Sequence, residues 1–279
     1  MCLPPPNVAP GPVRRKSVKE PSKIVRKSDS AVQVAGINFI TSISDYSIST
    51  DHLNVALLKP ISFLEFYEDL IFTENVTNVV ELGMFQGGMS VFLTSLKDDL
   101  RYLGIDISSP VPGLRRFVDD HGEIARRVFT QHNVGQDDAG VPNIIAAFLE
   151  GRELDLMIDD ASHQYSPSRR AFELCFPLLR PGGRYIIEDW GWLHWNGFEI
   201  PAEWRDSPAL TNLVLELIML CASRPELATK ITVASNMVTV EKGNERVNGD
   251  FRLDSFIRMN RPKGSFKDLA PSKLWGALR

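Results

Sequence analysis

Cysteine is scarce in this chain. The three residues, Cys2, Cys175 and Cys221, lie far apart and show no paired spacing for a disulfide framework or a thiolate zinc site. A reducing, cytoplasmic setting is the expectation. Long apolar runs are missing as well: none would cross a bilayer, and the first residues lack the basic head, apolar middle and small-residue cleavage site of a secretory signal. The chain is therefore expected to be soluble, with no membrane partner. It also lacks an internal repeat and the G-x-G-x-x-G spacing that seats a dinucleotide pyrophosphate, which argues against a nicotinamide-dependent dehydrogenase.

The remaining composition is that of a folded domain, 43% hydrophobic and 24% charged over 279 residues, enough for one sizeable α/β unit with appendages. The net charge of −4 hides an asymmetry: residues 1–30 hold seven Lys or Arg (Arg14, Arg15, Lys16, Lys19, Lys23, Arg26, Lys27) against Glu20 and Asp29, so that end is +5 and the rest −9. With Pro4, Pro5, Pro6, Pro10, Pro12 and Pro21 added, residues 1–35 are expected to be a disordered basic tail. The acidic remainder offers no broad basic surface, so no nucleic-acid partner is expected.

From about residue 76, short apolar runs alternate with amphipathic stretches, which predicts a parallel sheet covered on both faces. Strands are expected at 78–82, 102–107, 128–131, 154–158 and 184–187, with crossover helices between them. One helix is expected to be capped by Ser166, with Pro167 in its first turn and Ala171, Leu174, Cys175 and Leu178 as its apolar stripe. Pro181-Gly182-Gly183 is read as the turn after it. A helix at 209–222 and two β-prone runs at 231–234 and 237–241, joined at Ser235-Asn236, predict a closing hairpin. The expected fold is thus α/β: a Rossmann-like, doubly wound, mostly parallel sheet with a C-terminal antiparallel hairpin. Residues 36–75 would be a cap and leading helix, 76–243 the central domain and 244–279 an extension.

The segment Val79-Val80-Glu81-Leu82-Gly83-Met84-Phe85-Gln86-Gly87-Gly88-Met89-Ser90 reads as a strand, a glycine turn and a helix start. Glycines let a backbone approach a ligand closely, and the helix start offers free N–H donors. Glu81 would repel a pyrophosphate and favour a cationic ligand such as S-adenosylmethionine (SAM). Asp106, ending the next strand, can accept both ribose hydroxyls. The fourth and fifth strands end in Ile158-Asp159-Asp160-Ala161-Ser162-His163 and Ile187-Glu188-Asp189-Trp190, on the sheet edge where open α/β folds bind ligands. Carboxylates gathered there repel unless a hard divalent cation joins them.

The acid-x-Gly-x-x-x-Gly motif and the acid ending the second strand resemble the class I SAM-dependent methyltransferases, over about residues 76–241. The resemblance implies SAM contacts from Glu81, Gly83, Gly87, Ser90, Asp106 and Asn133, although aspartate is more usual at the last position. Asp-Asp-x-Ser-His followed by Pro-Gly-Gly, a strand and Glu-Asp resembles the metal-dependent sugar O-methyltransferases of the macrocin and mycinamicin type. It implies Mg²⁺ ligation by Asp160, Glu188 and Asp189, catalysis by His163 as general base together with Asp160, and Asp159 towards the cofactor. Ala161 stands where that family usually has glycine. The implied partner is a small-molecule hydroxyl acceptor, onto which Trp190, Trp192, His194, Trp195, Phe198 and Trp204 could stack; burial beneath the cap is the equal alternative. Two other readings remain: a hydroxylase-associated protein of the cephalosporin-biosynthesis type, and a scaffold that binds SAM or a partner without turnover. Apolar material outside the central domain is compatible with homo-oligomer formation.

Overall fold

The computed structural model describes residues 22–195, 204–247 and 250–258. Four short strands come first, β1 (Val25–Ser28), β2 (Ala31–Val34), β3 (Ile37–Thr41) and β4 (Asn54–Leu57), followed by helix α1 (Ile61–Thr73). The central unit continues as β5 (Asn78–Leu82), α2 (Gly88–Leu96), β6 (Arg101–Asp106), α3 (Pro112–Asp120), α4 (Gly122–Ala125) and β7 (Val128–His132). Then come α5 (Val141–Leu149), β8 (Leu154–Asp159), α6 (Tyr165–Cys175), β9 (Leu179–Glu188), α7 (Thr211–Ser223), β10 (Ala228–Val233), β11 (Met237–Lys242) and the short α8 (Leu253–Phe256).

The larger sheet has seven strands in the order β10-β11-β9-β8-β5-β6-β7. Strands β5 to β9 pair in parallel, while β11 runs antiparallel to both β9 and β10. This is the doubly wound sheet with a closing antiparallel hairpin that the sequence predicts. The chain winds outwards from β5 to β7, then returns to start β8 on the other side of β5. The carboxyl ends of β5 and β8 therefore flank a crevice, the place where such sheets bind ligands.

Side-chain alternation divides the core between the two sheet faces. Val80, Leu82, Met157, Tyr185 and Ile187 pack with residues of α5, α6 and α7, whereas Val79, Leu156, Ile158 and Ile186 pack with α1, α2 and the first small sheet. Strands β5 and β8 are buried along their whole length, which accounts for their nearly continuous apolar sequence.

Three expectations are corrected. The fold begins inside the predicted tail: Ile24, Val32 and Val34 are buried, and Glu68 of α1 accepts hydrogen bonds from the Ser22 hydroxyl and the Lys23 backbone. The basic residues had masked the alternating valines that give β2 a core-facing side, and residues 1–21 lie outside the described residues. Helix α6 starts at Tyr165 with Gln164 at its cap position, so Ser166 lies in the first turn. Pro181-Gly182-Gly183 is part of β9 rather than a turn before it, beside an irregularity in the β8–β9 pairing. Among the described residues no helix is long and apolar enough to cross a membrane.

Candidate functional site

Gly83 makes the crevice possible. Its φ is +82°, and a Cβ there would stand 2.4 Å from the Asp160 carbonyl oxygen, so the loop leaving β5 passes directly against the end of β8. The Gly83 N–H bonds to Ile105 O (2.8 Å), the Gly87 N–H closes the turn on Met84 O (2.7 Å), and α2 begins at once. Asp106 fastens this loop: its Oδ2 accepts the N–H groups of Met84 (2.7 Å) and Phe85 (3.1 Å), and its Oδ1 that of Ser108 (2.7 Å). Oδ2 is thus filled by two donors, whereas Oδ1 retains capacity to accept a ligand hydroxyl. Asn133 is exposed with φ +59° just beyond β7, which lies beside β6.

Ser90 is a correction. It is fully buried, and its hydroxyl is donated at 2.6 Å to Gly87 O, so it braces the glycine turn and does not face a ligand. Asp159 is another. It points to the α5–α6 face with Met157, where its Oδ1 accepts Gln136 Nε2 (3.1 Å) and its Oδ2 accepts the Tyr185 hydroxyl (3.2 Å). Burial, the dominant influence, raises its carboxyl to about 7 against an opposing pull from His163.

The acids on the other face converge. Asp160 is held by its N–H to Leu82 O (2.9 Å), and its Oδ1 lies 3.9 Å from His163 Nε2. One ligand atom from each of Asp160, His163 and Asp189 falls within 4.8 Å of the others. Both His163 and Asp189 have left-handed backbones, with φ +52° and +50°. Their loops are pinned: the His163 carbonyl accepts Trp192 Nε1 at 3.2 Å, and the Asp189 N–H bonds to Asn236 O at 2.7 Å. Burial, then the Asp160 charge, pushes the Asp189 carboxyl above its ordinary value.

Glu188 stands beside this group but is already engaged. It is 1% exposed; its Oε2 takes the Lys59 ammonium at 2.7 Å and its Oε1 takes the Tyr67 hydroxyl at 2.6 Å. Lys59 Nζ also bonds Asp160 Oδ2 at 2.6 Å. Burial pushes the Glu188 carboxyl up, with Lys59 opposing it. For Lys59 itself burial disfavours the charge, yet Asp160 and Glu188 outweigh it and hold the ammonium above the usual lysine range. Glu81, bonded by the Tyr102 hydroxyl, is raised by burial to about 8, again opposed by Lys59.

The donor set fits a hard divalent cation: two carboxylates crowded at one edge, the Asp189 carboxylate receiving no hydrogen bond among the described residues, and an imidazole alongside. The space between Lys59, Glu81, Met84, Gln86 and Asp160 is about 30 Å³, on the scale of one water. A larger cavity of about 460 Å³, lined by residues including Ile37, Asp98, His121 and Arg127, lies at the amino edge of the sheet, away from these groups.

Comparison with known proteins agrees with this fold. Residues 80–190 match a family model described as a methyltransferase domain. The fold is similar to that of a Staphylococcus aureus structure named for caffeoyl-CoA O-methyltransferase, with TM-score 0.50 and 19% identity over 67% of this chain and 85% of that one. Short stretches of the chain are similar to the demethylmacrocin O-methyltransferase of Streptomyces fradiae, 41% identical over 63 residues, and to the mycinamicin VI 2''-O-methyltransferase of Micromonospora griseorubida, 48% identical over 44 residues. These stretches span 23% and 16% of this chain and only 15% and 11% of the relatives' own lengths.

Sequence reasoning passed over several residues that hold this site together. Lys59 and Tyr67 come from outside the matched region, and Gln136 ties Asp159 to the Ser162 N–H (2.8 Å). A signal for Lys59 was present: it is a lone charge in the apolar run Val55-Ala56-Leu57-Leu58-Lys59-Pro60-Ile61. Among the loop aromatics, Trp192 is buried and packs edge-on to Trp204 at 5.3 Å, Trp190 Nε1 bonds Ala234 O at 2.8 Å, and His194 Nε2 lies 2.6 Å from Thr211 Oγ1. Trp195 is 45% exposed, and Phe198 lies outside the described residues.

Proposed function

We propose that this chain is a SAM-dependent O-methyltransferase that uses a divalent ion such as Mg²⁺ to methylate a hydroxyl of a sugar or other small natural product. The observation that carries the reading is the convergence of Asp160, His163 and Asp189 at the crevice beside the glycine loop. The short similarities to demethylmacrocin and mycinamicin methyltransferases support the acceptor class. The free Cys175 and Cys221 support a cytoplasmic setting.

Asp160 and Asp189 would hold the ion, with Glu188 within reach once its present partners release it. The glycine loop at Gly83 and Gly87, with Glu81 beneath it, would seat the methionine part of SAM, Asp106 the ribose and Asn133 the adenine. When bound, SAM supplies an electrophilic methyl group and the ion a charge that lowers the proton affinity of the acceptor hydroxyl. His163 Nε2 takes the hydroxyl proton. Asp160, 3.9 Å away, keeps the imidazole close to that hydroxyl and stabilises it once protonated. The pinned loops of His163 and Asp189 would fix the base and the ion-binding carboxylates relative to the glycine loop, so alignment would be the protein's main contribution.

The test combines calorimetry with methyl transfer. Purified protein is titrated with SAM, and transfer from methyl-labelled SAM is followed with Mg²⁺ and a panel of deoxysugar-bearing acceptors. His163→Ala is expected to bind SAM as the wild type does and to lose turnover by about 100-fold or more. Retained turnover would remove His163 as the base, and absence of SAM binding by the wild type would overturn the reading.

A further inference from the structure

Lys59 occupies an unusual position for a metal-dependent site. It leaves the end of β4 and precedes Pro60, the extended cap residue of α1, which aims its side chain at the carboxyl edge of the larger sheet. Its side chain is only 7% exposed, and its ammonium sits between two carboxylates, 2.6 Å from Asp160 Oδ2 and 2.7 Å from Glu188 Oε2. The remaining Glu188 oxygen is taken by Tyr67. Two of the acids expected to surround a divalent ion are therefore joined by a cation that belongs to the chain. His163 and Asp189 gather on the opposite oxygen of Asp160.

We infer that Lys59 is an internal competitor for the divalent ion: its ammonium neutralises Asp160 and Glu188 while the ion is absent and must withdraw from them when the ion binds. This rests on the metal site of the proposed function. Buried carboxylates left without a cation would force the strand ends apart or take up protons, and Lys59, bonded to both Asp160 and Glu188, opposes both. The same charge repels an incoming divalent ion across a few ångströms of poorly screened space. Ion binding is then weaker than the three acids alone would give, and it is coupled to movement of the β4–α1 connection.

The test is Mg²⁺ titration calorimetry on the full chain, wild type against Lys59→Gln, with melting temperatures recorded in EDTA and in Mg²⁺. The variant is expected to bind Mg²⁺ about tenfold tighter or more, to melt lower than the wild type in EDTA and to gain more from Mg²⁺. A double variant with Glu188→Gln adds a coupling readout: the Glu188 change should weaken Mg²⁺ binding more in the Lys59→Gln background than in the wild type. Lysine-selective NMR of the wild-type chain stands beside these variants and needs none of them to fold. A protected ammonium signal in EDTA should shift or vanish as Mg²⁺ saturates the site. Wild-type binding of Mg²⁺ with equal or weaker binding by Lys59→Gln, or lysine signals unmoved at saturation, overturns the inference alone. A wild type that binds no Mg²⁺ overturns the metal reading and this inference with it.

Discussion

Replacing Asp159 by asparagine isolates a pH dependence built into the edge of the sheet. The carboxyl is 1% exposed and has neutral partners, Gln136 and Tyr185, so burial raises it from an ordinary 3.8 to about 7. Between those values the folded chain holds a proton that the unfolded chain has lost. The stability this group contributes is complete below about pH 3.8 and is lost as pH rises through about 7. At about 1.4 kcal/mol per pH unit, the full change is on the order of 4 kcal/mol. Urea unfolding of wild type and Asp159→Asn at pH 4.5 and 7.5, in EDTA, measures it. The wild type should lose several kcal/mol more than the variant over that interval, because the other buried acids titrate in both proteins and cancel. Parallel stability curves would refute the argument that burial, rather than ionic pairing, governs Asp159.

Other consequences are open to measurement. Gly83→Ala would place a methyl 2.4 Å from the Asp160 carbonyl at φ +82°, and urea titration should show a loss of about 3 kcal/mol together with loss of SAM binding; a change within about 0.5 kcal/mol would contradict the close packing. Tyr67→Phe leaves Glu188 Oε1 buried without its donor and should cost about 1–3 kcal/mol by the same assay. Trp192→Phe removes the donor to the His163 carbonyl; kcat should fall several-fold while SAM affinity holds, and a loss confined to SAM affinity would contradict that role.

Much of the fold was legible because its signals are local. A buried parallel strand shows itself in five or six consecutive residues, and the glycine loop, Asp106, Asp160, His163 and Asp189 each lie at a strand end or within four residues after it. What escaped depends on distant parts of the chain. Lys59 acquires its meaning from residues 101 and 129 positions away, and no local pattern says which of Asp159 and Asp160 faces the crevice until strand alternation is combined with the buried Gln136. The first small sheet was hidden by composition, since basic residues around β1 and β2 resemble a solvated tail although Val32 and Val34 alternate correctly for a half-buried strand.

The left-handed backbones of His163 and Asp189 bear on how this chain could change. Each holds a side chain with a Cβ in a conformation costing of order 1–2 kcal/mol, which glycine would adopt freely. Selection for thermal tolerance alone would therefore favour glycine at these two positions and delete an imidazole and a carboxylate from the crevice. A stabilised descendant could keep the sheet, the glycine loop and Asp106 while losing its chemistry, so in any engineered lineage these two positions should be held fixed before stabilising changes are sought elsewhere.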